Sequence, residues 1–214
     1  MPTPLLSRGE LLLRLQETFR RYGYEGASLT RIAAATGLGK ASLYHYFPNG
    51  KEQMAMAVIE DLRQWFDTNI FSPLESVHPP RQRIVSMLET LSRHYESGQA
   101  ACLPGLFALT EERALFGETI AEFFARWVAC LSQTLTDSGL ARDIAQRRAH
   151  DGVERIQGAL ILSRAFADNR AFATMAAELP DQLLAGADRS TMWTSRTARF
   201  PFAPSAQAIP SRAG

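Results

Sequence analysis

Apolar residues in this chain recur every three or four positions almost throughout, and nowhere do they alternate singly. Leu12, Leu15, Phe19 and Tyr22 follow one another at spacings of 3, 4 and 3. That rhythm falls on one stripe of an α-helix, whereas a strand would throw the same residues onto both faces. Ile120, Phe123, Trp127 and Leu131 keep the pattern far downstream. The Asn-Gly pair, Asn49-Gly50, lies between two helical stretches rather than between alternating runs, so no β-hairpin is expected. The expected fold is all-α, with about nine helices. At 46% hydrophobic over 214 residues, the chain has enough apolar surface to close a core. No apolar run reaches the length of a membrane helix. The N-terminus lacks a basic-then-apolar leader, so a cytoplasmic location is expected.

Turn-forming residues divide the periodic stretches. Gly23 stops the first helix. Ser28 is placed to cap a short second one, carrying Leu29, Ile32 and Ala33 on one face, with Gly37 just past its end. Gly37-Leu38-Gly39 turns the chain into a third helix, about 40–46, whose Leu43 and Phe47 face inward. Pro48 ends it. Asn49, with Glu52 three residues on, resembles a capping box for a helix running to about Ile70. Pro73, Pro79 and Pro80 mark a loop. Helices are then expected at about 81–97, 105–113, 116–137, 143–167 and 170–184, with breaks at Gly98–Gly105 and Gly139. From 186 to 214 no periodicity remains. That stretch holds Arg189, Arg196, Arg199 and Arg212, and it reads as a flexible basic tail.

The segment "GLGKASLYHYF", Gly37 to Phe47, holds two glycines, a lysine and a serine. A phosphate-binding Walker loop needs a glycine where Ala34 stands and a hydroxyl directly after Lys40, where Ala41 stands. A dinucleotide fingerprint needs a glycine at Ser42 and a strand before it. Neither condition is met. Two short helices joined by a tight glycine turn are instead the pattern of a helix–turn–helix, whose second helix enters a DNA major groove. Its outward residues, Lys40, Ser42, Tyr44 and His45, form a donor-rich set without an acid. Lysine can donate to guanine edges, and the others to backbone phosphates. Charge agrees. Residues 1–51 hold seven basic and three acidic side chains, a net +4, on a chain whose total is +1. That distribution suits a local polyanion site.

The stretch "SLTRIAAATGLGKASLYHYFPNGKEQM", Ser28 to Met54, resembles the DNA-binding signature of the TetR (tetracycline-repressor) family of bacterial transcription regulators. The Ile-Ala pair, Gly37, the Leu-Tyr-His-Tyr-Phe run and the Lys-Glu after it all match. The resemblance implies that Lys40 and Ala41 meet bases. It implies phosphate contacts for Ser42, Tyr44, His45 and Lys51, and it adds Ser28 and Thr30 to the DNA-facing set. Gly50 departs from the shorter form of this connection, which bears on how Lys51 reaches the backbone. "CLPGLFALTEE" and "IQGALILSRAFADNRAFATMAAELPDQL" are similar to the regulatory half of multidrug- and flavonoid-responsive members. Such regulators are all-helical homodimers whose last two long helices form a four-helix bundle with their copies. The implied organisation is a DNA-binding head over 1–50, an effector-binding and dimerisation part over 51–185, and the tail.

Other residues bear on that reading. Val153, Ile156 and Leu160 make one stripe, and Ala159, Leu162 and Phe166 a second; Gly158 and Ala159 permit close helix approach. A helix apolar on two sides suits a dimer seam at about 143–167 and 170–184, or else a central helix in a monomer. Large side chains gather in the middle helices. Trp65, Tyr95, Phe107, Phe123 and Trp127 are the candidates for a pocket taking a small apolar or aromatic effector, with plain core packing the alternative. Cys102 precedes a helix start, where a thiol can be activated; a buried inert thiol is the other possibility. Cys130 reads as core. His45, His78, His94 and His150 share no metal-ligand spacing, and no cofactor motif or nucleophile elbow is present. No catalysis is therefore expected. The expected function is that of a ligand-responsive homodimeric regulator on double-stranded operator DNA. The rival is a helical ligand-binding or thiol redox sensor without sequence-specific DNA binding.

Overall fold

The computed structural model describes residues 6–109 and 113–187, and every regular element among them is helical. Nine α-helices of six or more residues occur among the described residues: α1 (Arg8–Gly26), α2 (Leu29–Thr36), α3 (Lys40–Tyr46), α4 (Gly50–Phe66), α5 (Pro80–His94), α6 (Leu103–Ala108), α7 (Arg113–Asp137), α8 (Arg142–Phe166) and α9 (Arg170–Leu183). The expected basic tail, with its four arginines, lies outside the described residues apart from Gly186 and Ala187. The chain divides into two compact units. One comprises 1–76 with 101–130; the other comprises 77–100 with 131–214. Helix α7 contributes to both.

In the first unit, α1 opens on a capping box. The Ser7 hydroxyl accepts from the Glu10 amide, and the Glu10 carboxylate accepts from the Ser7 amide at 2.9 Å. Bonds from the Ser7 side chain and backbone hold the Glu10 carboxyl below its ordinary value. Gly23, with φ of 67°, breaks the helix as expected, but a last turn resumes as far as Gly26. This kink alters the predicted stripe. Leu12, Leu15 and Phe19 are buried, whereas Tyr22 turns outward at 38% exposure and Tyr24 takes the inward place. Helix α4 also departs from expectation. Asn49 makes no side-chain cap; its own amide donates to the Gln53 side chain at 2.9 Å. The helix continues past Phe66 through a π-helical turn, Asp67–Phe71, and an α-turn, Ser72–Leu74. Pro73 therefore sits inside the helical run, where the first turn of an α-segment tolerates it. The core joins α1–α4 to residues far along the chain: Leu15, Phe19, Ile32, Leu43, Phe47, Met54 and Val58 share one buried cluster with Leu103, Phe107, Phe116 and Ile120.

The second unit is built round the antiparallel pair α8 and α9, joined by a tight turn in which Ala167 is left-handed at φ 53°. Helix α5 ends at His94, short of the expected 97, because the chain tightens into a 3-10 turn, Glu96–Gly98, with Ser97 at φ 56°. Gly98 is required there. A Cβ on it would lie 2.8 Å from the Phe172 Cβ and 3.0 Å from the Ser163 Cβ, at φ +99°. The Ser163 hydroxyl accepts from the Phe172 amide at 3.1 Å, and Gln99 donates to the Asp168 carbonyl at 2.9 Å, so this turn is tied to the α8–α9 corner. Arg83, 5% exposed, is neutralised by Asp137 at 2.9 Å.

Candidate nucleic-acid interface

The helix–turn–helix forms as read, and its turn is held from three sides. The Ser28 hydroxyl caps α2 by accepting from the Arg31 amide at 3.3 Å. Gly37 closes that helix in the left-handed region at φ 72°, its amide donating to the Ala33 carbonyl at 2.9 Å. Thr36, wholly buried, donates its hydroxyl to the Ile32 carbonyl at 2.8 Å and accepts from the Leu38 amide at 3.3 Å. Arg14 of α1 donates to the Thr36 carbonyl at 3.1 Å. Thr36 and Arg14 were not among the residues the sequence singled out; a threonine one position before a helix-ending glycine was the available signal.

This bracing fixes which way α3 faces. Leu43 and Phe47 are buried, while Lys40, Ala41, Ser42, Tyr44 and His45 are all exposed, as are Ser28 and Thr30 at the start of α2. No carboxylate shares that exposed face of α3. Gly39 caps α3 without a side chain, so its first amides take no side-chain acceptor. The Tyr44 ring lies along the Asn49-Gly50 turn, where a Cβ on Gly50 would sit 3.5 Å from ring atom Cε1. Gly50 is left-handed at φ 67°, which makes this turn possible. Lys51, beyond it, points elsewhere than the exposed face of α3. Its ammonium donates to the Tyr24 carbonyl at 3.0 Å, lies 4.1 Å over the Tyr24 ring and is 3.6 Å from Glu25.

The five aromatic candidates do not form one group. Phe107 packs with Phe19, Tyr24 and Phe116, at centroid distances of 5.9, 6.1 and 5.6 Å. Tyr95 is buried in the other unit, its ring 4.8 Å from His94. Trp65, Phe123 and Trp127 do come together round Phe66, which lies 5.3, 4.8 and 5.3 Å from them. The Trp127 indole N–H, fully buried there, donates to no acceptor. Beside this cluster Arg126 pairs with Glu75 at 2.8 Å, and the Cys130 thiol donates to Glu75 at 3.5 Å. Burial, and then the Glu75 carboxylate, push the Cys130 thiol up to about 12. Cys102 is buried at the N-cap of α6. A thiol with that pKa is not a nucleophile near neutrality, so Cys130 gives the redox-sensor reading no support. Among the described residues no group of His, Cys, Asp and Glu is arranged to hold a metal ion, and no helix is long and apolar enough to cross a membrane.

Residues 16–58 match the bacterial regulatory proteins of the tetR family, and residues 80–178 match the C-terminal domain of LmrA/YxaF-like transcriptional regulators. The chain belongs to the TetR family. Its relatives include the HTH-type transcriptional regulator LmrA of Bacillus subtilis, 24% identical over 83% of this chain and 96% of that one. Among solved structures, a TetR regulator from Legionella pneumophila superposes with a TM-score of 0.74 at 20% identity, covering 84% of this chain and 99% of that one. CifR, a TetR-family regulator solved as a cysteine mutant with 26bp double-strand operator DNA, superposes at 0.69 and 20% identity over 86% and 99%. TetR members are DNA-binding transcriptional regulators, not enzymes, and this one carries the matched head on an exposed, acid-free α3.

Proposed function

We propose that the chain is a cytoplasmic, homodimeric repressor whose two α3 helices enter successive major grooves of a pseudo-palindromic operator. Half-site centres then lie about 34–36 Å apart. Lys40 and Ala41 read bases. Ser42, Tyr44 and His45, with Ser28 and Thr30 of α2, bind phosphate. The observation that carries the reading is the exposed donor face of α3 above buried Leu43 and Phe47. Lys51 serves by bracing α4 against the kink of α1 through Tyr24, with one donor left for the backbone. Functionally, 1–50 reads DNA, 51–185 takes the effector and dimerises, and 186–214 is an accessory basic tail. The seam is the α8–α9 face, where Ile161, Leu162 and Phe166 stand 60%, 47% and 65% exposed in the single chain.

The effector is a small aromatic molecule bearing a hydrogen-bond acceptor. Trp65, Phe123 and Trp127 supply ring surface, and the orphan Trp127 N–H supplies the donor that a buried site leaves costly until matched. Phe116, on the same helix as Phe123 and Trp127, packs on Tyr24 and Phe107 and so relays a shift of this helix to the head. Moving the population from 1:99 to 99:1 requires the effector to favour the released state by about 5.5 kcal/mol.

Selection from randomised duplex DNA, followed by fluorescence anisotropy on the selected site, tests the reading. The expected result is a two-fold symmetric site and a change of preferred base on Lys40→Ala. Failure to enrich any sequence would remove sequence-specific reading. For the effector, Trp127→Phe keeps the ring and deletes the donor. It is expected to weaken release by aromatic acceptors about 5- to 30-fold, from about 1–2 kcal/mol for one buried bond, with operator affinity unchanged. An unchanged response would remove the indole from the site.

A further inference from the structure

The first unit has a second basic surface, distinct from the exposed face of α3. A groove between α1 and α2 is lined by Arg14, Arg21, Tyr22 and Arg31, with one carboxylate, Glu17, and with Ala34 and Ala35 as its α2 wall. Several arginines elsewhere among the described residues, such as Arg63, Arg83 and Arg126, lie against a carboxylate. Among the described residues, Arg14, Arg21 and Arg31 form no ion pair. Arg31 donates to the Gly26 carbonyl at 2.7 Å and stacks 4.5 Å over the Tyr22 ring, and Arg21 lies 5.2 Å from the same ring. Arg14 is fixed by the Thr36 carbonyl.

These guanidiniums are oriented by carbonyls and a ring rather than by a paired carboxylate. They are also already ordered, so an anion that binds them costs little side-chain entropy. Ala34 and Ala35 add nothing beyond a methyl, so a phosphate can approach the α2 wall closely. The outward turn of Tyr22 at the Gly23 kink, which removes it from the core stripe, is what places the ring between the two arginines.

We propose that the α1–α2 groove is a second phosphate-binding surface, holding operator backbone that flanks the segment read by α3. This rests on the DNA-binding reading above. Helix α2 is about 12 Å long and is joined to α3 by a short turn. The groove therefore opens well within the ~34 Å of one duplex turn from the reading helix. Its net positive charge and fork-shaped donors fit phosphodiesters.

The test uses two duplexes with the same selected half-sites, one ending there and one extended by about one helical turn, ~10 bp, on each side. Anisotropy titrations are run over a range of salt. The full-length protein is expected to bind the longer duplex more tightly and with a steeper salt slope. Arg21→Gln with Arg31→Gln should erase that difference, lowering the slope by about 0.9 for each phosphate no longer neutralised, while leaving the short duplex bound as before. Arg31→Lys, which keeps the charge, should retain part of the length effect. Equal weakening on both duplexes would overturn the proposal by making the arginines structural or half-site residues, as would no weakening on either. So would equal binding of both duplexes together with retention of polyglutamate by the unmodified protein alone, which would assign the groove to an acidic protein segment. If the unmodified protein binds neither duplex, the DNA reading itself fails, a separately visible result.

Discussion

The exposed face of α3 and the outer face of α8 and α9 are both left open by the chain's own packing, and they are chemical opposites. The first shows lysine, serine, tyrosine and histidine with no acid among them. The second shows Ile161, Leu162 and Phe166, with an apolar trough of Gly158, Ala159 and Met175 beside them, rimmed by Arg155, Asp168, Arg170 and Glu178. Each is open for a reason that its chemistry names. A row of donors without acids attracts a polyanion; an apolar patch with a mixed-charge rim matches a copy of itself across a two-fold axis. Exposure alone would have treated the two faces alike.

The largest effect expected from breaking this contrast comes at the apolar face. Leu162→Glu with Phe166→Glu removes two anchors worth about 1.5–3 kcal/mol each and sets like charges across the axis. Sedimentation should then show a monomer at micromolar concentration, and operator affinity should fall by about 100-fold or more. A persistent dimer would move the seam elsewhere. Next is Gly98→Ala, which forces a methyl against Phe172 and Ser163 in a left-handed turn. A loss of about 1–3 kcal/mol is expected, read by calorimetry as a Tm lower by roughly 2–10 °C. The α3 donors are left as they are. Tyr44→Phe, at the polar face, deletes one hydroxyl proposed to meet phosphate. It should cost about 3- to 10-fold in affinity for every sequence alike. The smallest effect is at Cys130. Its pKa is raised above the unfolded thiol value, so the stability it contributes is complete below pH 9 and is lost as pH rises towards about 12. Alkylation at pH 8 should leave Cys130 unmodified in the folded protein; rapid labelling would contradict its setting beside Glu75.

The parts legible in the sequence are those fixed by local rules. The caps at Ser28 and Gly37, the inward Leu43 and Phe47 and the buried stripe Val153, Ile156 and Leu160 of α8 all follow from spacing and turn chemistry, and all stand as read. What escaped depends on contacts between distant residues. Tyr22 has the period of a core residue yet is exposed, and the φ of Gly23 brings Tyr24 in instead. Lys51 matches a phosphate contact by position, but the kink of α1 supplies a carbonyl and a ring that engage its ammonium. Phe107 is large and lies mid-chain, and its packing against Phe19 depends on the fold. The π-turn after Phe66 has no signature in the apolar period, which it shifts by one residue.

The shared core of the first unit limits how this regulator can be cut and recombined. A fragment ending at residue 50 keeps the exposed face of α3 but strips Phe19 and Leu15 of neighbours supplied by Met54, Val58, Leu103 and Phe107. A chimera that grafts this head onto another sensor at the same junction inherits a mismatched interior. Swapping specificity between relatives therefore has to carry those supporting residues along with the reading helix.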